Sequence, residues 1–164
     1  MAGTAPFAIG DVRGSPASSP SSPPTSGRRL RLKVVLHVDG GARGNPGPAA
    51  IGVVISDPDG EVLAELGETI GVASNNVAEY RGLLRGLERA RALGATEVEV
   101  VNDSELVARQ LTGAYKVKHP AMKELHAEAR RALDGFERWG IRTVPRAENA
   151  AADGLVNAAL DAAL

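Results

Sequence analysis

The order of the apolar segments is the feature that most restricts how this chain can fold. Five short runs rich in β-branched residues predict strands. Longer segments with helical periodicity follow the third, fourth and fifth of these runs. The predicted strands cover residues 31–39, 49–56, 61–70, 97–102 and 141–144. Because a long helix precedes the fourth strand, we expect a right-handed crossover that makes the first and fourth strands parallel. The pattern therefore predicts an α/β fold with a five-stranded mixed sheet, in the order βββαβαβα, flanked by helices.

Capping residues mark the ends of the first predicted helix. Ser74 and the two asparagines after it are suited to a helix N-terminus, and Gly94 is suited to the C-terminus. The predicted helices cover residues 74–93, 104–112 and 120–139, and a last one begins at about 148.

Residues 1–29 differ in composition from the rest of the chain. They contain five of the ten prolines and a Ser/Pro-rich tract over 15–24. Such a segment buries too little apolar area to offset the entropy lost on ordering. We therefore predict a disordered tail over 1–29 and one folded domain over 30–164.

Composition also excludes several classes of protein. The 164 residues include no Cys, which excludes disulfides and thiolate zinc sites and agrees with a reducing, cytoplasmic location. No apolar run approaches the roughly 20 residues that span a membrane. A formal net charge of −1 excludes a nucleic-acid binder that depends on bulk positive charge, but not a local phosphate site. Nothing indicates an obligate protein partner, and we expect a monomer.

Two aspartates are placed at the ends of predicted parallel strands. Asp39 ends the first strand and Asp103 follows the fourth. If the two strands are neighbours, both carboxylates lie at the sheet edge where α/β proteins usually bind ligands. Taken singly, each residue has another interpretation, because Asp39 with Gly40 suits a turn and Asp103 suits a helix N-cap.

Two further carboxylates are predicted to approach the same edge. Glu79 shares a helical face with Gly82 and Gly86, and small residues allow a helix to pack closely against another backbone. Asp153 lies on the apolar face of the last helix, where an unpaired carboxylate is costly. The alternatives are a Glu favoured by the helix dipole and an ordinary solvated Asp.

Four carboxylates at one sheet edge indicate a metal site. Their mutual repulsion raises their pKa values unless cations are bound. Hard oxygen ligands suit Mg²⁺ or Mn²⁺, and two such ions about 3.5–4 Å apart are the usual arrangement for phosphodiester hydrolysis. The three histidines do not have the spacing of a zinc site.

The loop after Asp39 is rich in glycine. Gly40 and Gly41 begin the stretch over 40–48, in which four glycines permit a close backbone approach to a ligand. The stretch lacks the Gly-Lys-Ser/Thr ending of a phosphate-binding P-loop. A plain irregular turn is the alternative.

Together these segments resemble a type 1 ribonuclease H. The matching stretches are 37–48, 74–80, 101–104 and 146–153, and the resemblance covers about residues 31–162. It implies an RNase H-like fold and endonucleolytic hydrolysis of the RNA strand of an RNA–DNA hybrid with two divalent metal ions, which leaves 5′-phosphate and 3′-hydroxyl ends. The metal ligands that it implies are Asp39, Glu79, Asp103 and Asp153. The hybrid contacts that it implies are Asn45, Asn75, Asn76 and Asn149.

The chain departs from many family members in two places, in the manner of archaeal and actinobacterial members. Where many members carry a histidine before the last helix, this chain has Arg146, which cannot shuttle protons near neutral pH and is expected to contact phosphate or stabilise charge. The basic protrusion of some members is missing. In its place Tyr115, Lys116 and Lys118 are expected to contact the DNA strand by stacking and phosphate pairing.

Two other functions are compatible with this fold. A non-catalytic binding domain is one, but its usual mark is the loss of an acidic residue, and all four are present. A junction-cleaving nuclease is the other, and the Asn75-Asn76 pair and the Asn45 loop argue against it.

Overall fold

The structure, a computed structural model, describes residues 31–163. The predicted tail over 1–29 lies outside the described residues and stays a prediction. The strands are β1 (Lys33–Ala42), β2 (Gly47–Ser56), β3 (Val62–Ala73), β4 (Glu97–Asn102) and β5 (Arg138–Thr143). The helices are α1 (Asn75–Ala92), α2 (Glu105–Leu111), α3 (Pro120–Asp134) and α4 (Ala150–Ala162), the last preceded by a 3₁₀ turn over Arg146–Asn149.

The five strands form one mixed sheet in the order β3-β2-β1-β4-β5. The strands β1, β2 and β3 pair antiparallel, whereas β4 lies parallel to both β1 and β5. The prediction of a five-stranded mixed sheet with parallel first and fourth strands is therefore confirmed.

Alternation along the strands separates two apolar layers. In β2, Val53 and Ile55 belong to the main core with side chains of α1 and α3, such as Leu83 and Leu133. Ala50 lies on the other face and packs against α4. This period of two is that of a strand covered by helices on both faces. The sheet edge that carries the candidate carboxylates therefore lies between α1 and α4.

The predicted helix over 120–139 is wrong at its C-terminal end. α3 ends at Asp134, and Trp139 lies in β5, paired with Val98 of β4. The Trp139 ring also packs under the Arg130 guanidinium at 5.6 Å. Hydrogen bonds to β4 satisfy the backbone N–H and C=O groups of this segment, so it forms a strand despite its helical periodicity. This pairing is a tertiary effect, which local periodicity cannot predict.

Membrane insertion through a helix has no support in the described part of the chain. Within residues 31–163, none of the helices combines the length and the apolar character needed to span a bilayer.

Candidate active site and metal centre

The ends of β1 and β4 place Asp39 and Asp103 side by side. The parallel register pairs His37 with Val101, so the aspartates lie two residues further along adjacent strands. The structure excludes the simpler interpretations of both residues. β1 continues through Gly40 to Ala42 rather than turning, and Ser104, not Asp103, caps α2 by accepting the N–H of Val107.

Glycines bring Glu79 to the same place. A Cβ atom on Gly40 would lie 2.1 Å from the Ala78 carbonyl oxygen, and one on Gly82 would lie 2.7 Å from the Asp39 carbonyl oxygen. Only glycine permits such backbone contact between β1 and α1. The N–H of Gly40 donates to Glu79 Oε1 at 2.8 Å, which fixes that carboxylate towards the strand ends. Oxygens of Asp39, Glu79 and Asp103 all lie within 4.8 Å of one another.

Asp153 approaches the cluster from the opposite face of the sheet. Gly52 in β2 admits the α4 backbone, because a Cβ there would lie 2.1 Å from the Ala152 carbonyl oxygen. Asp39 and Asp153 line one cleft of about 400 Å³ at the ends of β1 and β4, and the Asp153 carboxyl contributes to the raised pKa of Asp39. Asn157, one helical turn later, donates its Nδ2 to the Asp153 carbonyl oxygen at 3.2 Å and to Oδ2 at 3.4 Å. Sequence reasoning did not assign Asn157 a role, although its i+4 spacing from Asp153 is visible.

The cluster carries more negative charge than its surroundings can stabilise. Burial raises the pKa of Asp39 to about 7, with the charges of Asp103 and Asp153 adding to the rise. Burial, followed by the charge of Asp39 and of Asp103, raises the pKa of Glu79 to about 9. Oδ2 of Asp103 is buried and has no hydrogen-bond partner among the described residues. Divalent cations would satisfy this oxygen and offset the repulsion, so the donor set fits a hard metal ion.

The raised pKa values predict how the stability of the metal-free protein depends on pH. An unfolded Asp or Glu titrates near pH 4, whereas Asp39 and Glu79 titrate at about 7 and about 9 in the fold. Between about pH 4 and about pH 9 the folded state therefore binds more protons than the unfolded state, so the free energy of unfolding decreases as pH rises. We expect the melting temperature in EDTA to decrease by roughly 5 °C between pH 5 and pH 9, and Mg²⁺ to reverse the loss. The Glu79→Gln variant should show a shallower slope in the same thermal melts, and an unchanged slope would contradict the assignment.

Asparagines link the glycine-rich loop to the start of α1. Asn45 Oδ1 accepts the N–H of Asn75 at 3.1 Å, and Asn75 Oδ1 accepts the N–H of Ala42 at 2.9 Å. The hydrogen bonds among the described residues use neither Nδ2 group, so both amides keep donors for a ligand. Asn76 is exposed and lines the cleft beside Asn75, and Gly41 lines it too. Gly40 also lines the cleft, and its N–H is used by Glu79.

The structure places the predicted cationic residues at different distances from the cluster. Arg146 lines the cleft with a side chain that is 78% exposed, and its Nε lies 3.9 Å from Asp103 Oδ2. Tyr115, Lys116 and Lys118 are exposed on the segment between α2 and α3 and do not line the cleft. The Arg109 guanidinium lies 5.5 Å from the centre of the Tyr115 ring. These residues form a separate cationic and aromatic surface.

The side chain of Asn149, one of the predicted substrate contacts, is buried. Asn149 is 1% exposed, and its Nδ2 donates to the Val38 carbonyl oxygen at 2.9 Å. The amide is thus buried against β1 and has no surface to offer to a nucleic acid. The position of Asn149 in the sequence does not indicate whether its side chain is buried or faces the cleft.

Known proteins share the sequence of this domain. Residues 37–159 match the family described as Reverse transcriptase-like. The protein named Bifunctional protein Rv2228c of Mycobacterium tuberculosis is 52% identical over 133 residues, which are 80% of this chain and 36% of that relative. The Ribonuclease HI of Halobacterium salinarum is 48% identical over 129 residues, which are 79% of this chain and 65% of the relative. The chain thus spans little more than a third of the length of the mycobacterial relative.

Solved structures share its fold. The crystal structure of RNase H1 from the halophilic archaeon Halobacterium salinarum NRC-1 has a TM-score of 0.78 at 48% identity, over 79% of this chain and 98% of that one. LC11-RNase H1 in complex with an RNA/DNA hybrid has a TM-score of 0.76 at 47% identity, over 79% and 98% of the two chains. The resemblance expected from the four motifs is confirmed, and the chain belongs to the type 1 ribonuclease H family.

Proposed function

We propose that this domain cleaves the RNA strand of RNA–DNA hybrids by endonucleolytic hydrolysis and leaves 5′-phosphate and 3′-hydroxyl ends. The observation that carries the proposal is the convergence of Asp39, Glu79 and Asp103, with oxygens within 4.8 Å of one another, at one end of the sheet. The complex of the related LC11-RNase H1 with an RNA/DNA hybrid supports the choice of substrate.

The four carboxylates are the proposed ligands of two divalent metal ions, Mg²⁺ or Mn²⁺. When bound, such ions activate a water for attack on the phosphodiester and stabilise the charge on the leaving 3′ oxygen. Asp39 shares the cluster with Glu79 and Asp103, and it lines the cleft together with Asp153. Gly40 holds Glu79 towards it through the backbone N–H, so the ligands are arranged before substrate arrives.

Asn45, Asn75 and Asn76 are the proposed contacts to the sugar edge of the hybrid. The 2′-hydroxyl is what distinguishes RNA from DNA, and it can both donate and accept a hydrogen bond. The Nδ2 donors of Asn45 and Asn75 remain available because their oxygens are held by backbone N–H groups. Of the three, Asn75 and Asn76 line the cleft, together with the backbone at Gly40 and Gly41.

Arg146 and the surface after α2 are proposed to bind phosphates. Arg146 is long, exposed and always charged, so it suits contact with the scissile or a neighbouring phosphate rather than proton transfer. Tyr115, Lys116 and Lys118 suit the DNA strand, with stacking proposed for the exposed Tyr115 ring, which Arg109 already contacts. Residues 30–164 contain 19 acidic and 16 basic residues. We therefore infer that binding depends on these few cations and weakens steeply with salt. The monomeric state, the absence of an obligate partner and the cytoplasmic location stay predictions.

A substrate panel tests the proposal. The protein is incubated with end-labelled RNA–DNA hybrid, RNA duplex, DNA duplex and a DNA four-way junction, each with Mg²⁺, Mn²⁺ or EDTA. We expect cleavage of the hybrid's RNA strand with either metal, none in EDTA, and products that a kinase labels only after phosphatase treatment, as 5′-phosphates require. Cleavage of the junction would instead identify a resolvase, and binding of the hybrid without cleavage would identify a non-catalytic domain.

A further inference from the structure

Helix α4 and the turn before it carry a polar stripe that follows the end of β1. We use this name for four residues at intervals of four, which place them on one helical face. The stripe consists of Asn149, Asp153, Asn157 and Asp161. Three of its members meet residues of β1 and of the loop after it in the same order along both segments. Asn149 donates to the Val38 carbonyl, Asp153 lines the same cleft as Asp39, and Asp161 accepts a hydrogen bond from Arg43.

The contact of Asn149 is the buried one. Its Nδ2 donates to the Val38 carbonyl oxygen at 2.9 Å across 111 positions of sequence. The ladder between β1 and β4 ends at the pair His37–Val101, so Asn149 takes the carbonyl of the next residue of β1. Val38 directly precedes Asp39, and Asn149 lies one helical turn before Asp153. This hydrogen bond therefore connects the β1 backbone next to Asp39 to the start of α4, the helix that carries Asp153.

The other contacts of the stripe are more exposed and therefore weaker. Arg43 Nη2 donates to Asp161 Oδ1 at 2.7 Å, but the two side chains are 42% and 66% exposed, and surface ion pairs contribute little. Among residues 31–163, Asn157 donates hydrogen bonds only within α4, to Asp153. The buried amide is consequently the contact best able to set the position of α4 along β1.

We propose that Asn149 is a positioning residue that fixes the register of α4 against β1 and so holds Asp153 beside Asp39 for metal binding. It acts through Asp153 and does not touch the hybrid. The proposal rests on the proposed metal site, but it concerns metal affinity rather than cleavage. Residues that orient metal ligands usually change metal affinity or activity by about 10- to 100-fold when they are removed.

The experiment compares Asn149→Ala with Gln110→Ala. Gln110 is also a buried amide, and its Oε1 accepts a hydrogen bond of 2.6 Å from the Tyr80 hydroxyl. Gln110 does not line the cleft, so its removal controls for the stability that is lost when a buried amide is removed. Mn²⁺ binding is measured without substrate by calorimetry and by the rise in melting temperature that Mn²⁺ produces. We expect the dissociation constant of Asn149→Ala to increase about tenfold, whereas that of Gln110→Ala stays within about twofold of wild type.

Hybrid kinetics separate positioning from substrate contact. If Asn149 acts through the metal site, Asn149→Ala loses rate at low Mn²⁺, recovers it at high Mn²⁺, and keeps the KM for the hybrid. Wild-type Mn²⁺ affinity together with a raised KM would overturn the proposal. Should Asn149→Ala not fold, Asn149→Ser takes its place; it keeps a shorter donor, and Mn²⁺ affinity equal to wild type in that variant would also overturn it. A wild-type protein that binds Mn²⁺ but cleaves no hybrid would refute the proposed function alone.

Discussion

The Asp39→Asn variant is expected to lose hybrid cleavage by roughly a thousandfold or more, which corresponds to about 4 kcal/mol of transition-state stabilisation. Asp39 is 5% exposed and belongs to the group of three carboxylates that would hold metal, so its loss would remove a ligand from the centre of the proposed site. The same change should make the metal-free protein more stable, because an amide removes a buried charge that Asp103 and Asp153 repel. Activity and stability are thus expected to move in opposite directions.

Single-turnover cleavage and thermal melts in EDTA measure the two effects of Asp39→Asn. Asp59→Asn is the matched control, since Asp59 lies exposed in the turn between β2 and β3 and should change neither quantity. In Mg²⁺ the order of stability should reverse, because the wild type gains binding energy that the variant lacks. Cleavage by Asp39→Asn at more than a tenth of the wild-type rate would refute the role assigned to this carboxylate.

The Gly40→Ala variant is expected to have the largest effect on folding, a loss of about 3 kcal/mol in the free energy of unfolding. The added Cβ would lie 2.1 Å from the Ala78 carbonyl oxygen and 2.6 Å from the Glu79 nitrogen, and both are backbone atoms that cannot rotate away. α1 must therefore withdraw from β1, which stretches the Gly40–Glu79 hydrogen bond and displaces the carboxylate. Activity should decrease together with stability.

Urea denaturation measures the loss in Gly40→Ala, and Gly154→Ala is the matched control. Gly154 is exposed within α4, and a Cβ there meets nothing within 4 Å. Alanine in a helix interior is favoured over glycine by roughly 0.5–1 kcal/mol, so this control should be slightly more stable than wild type. If Gly40→Ala were as stable as wild type, the proposed contact between β1 and α1 would be wrong.

The carboxylate cluster could be predicted because its members occupy positions that secondary structure determines. Asp39 and Asp103 end adjacent parallel strands, and the topology of a βαβ unit alone brings such ends together. Glu79 could be placed because the small residues on its helical face predict close packing. For these residues the local sequence pattern and the strand topology both predict the same placement, so their proximity could be predicted from the sequence.

Contacts between distant polar side chains could not be predicted in this way. The burial of Asn149 depends on where α4 meets β1, and the extent of β5 depends on pairing with β4. Likewise, the use of Asn45 and Asn75 oxygens by backbone N–H groups depends on the path of the loop in space. Side-chain type indicates that these residues form hydrogen bonds, but only tertiary structure decides with which partner.

The glycine contacts have a consequence for how sequences of this kind can diverge. At Gly40, Gly82 and Gly52 the spacing between elements is determined by one backbone touching another, not by the volume of apolar side chains. Leucines and valines of the core can therefore be exchanged for one another, with changes in stability, while the distances between the carboxylates persist. The placement of the carboxylates is therefore expected to tolerate substitutions in the core better than substitutions at these three glycines.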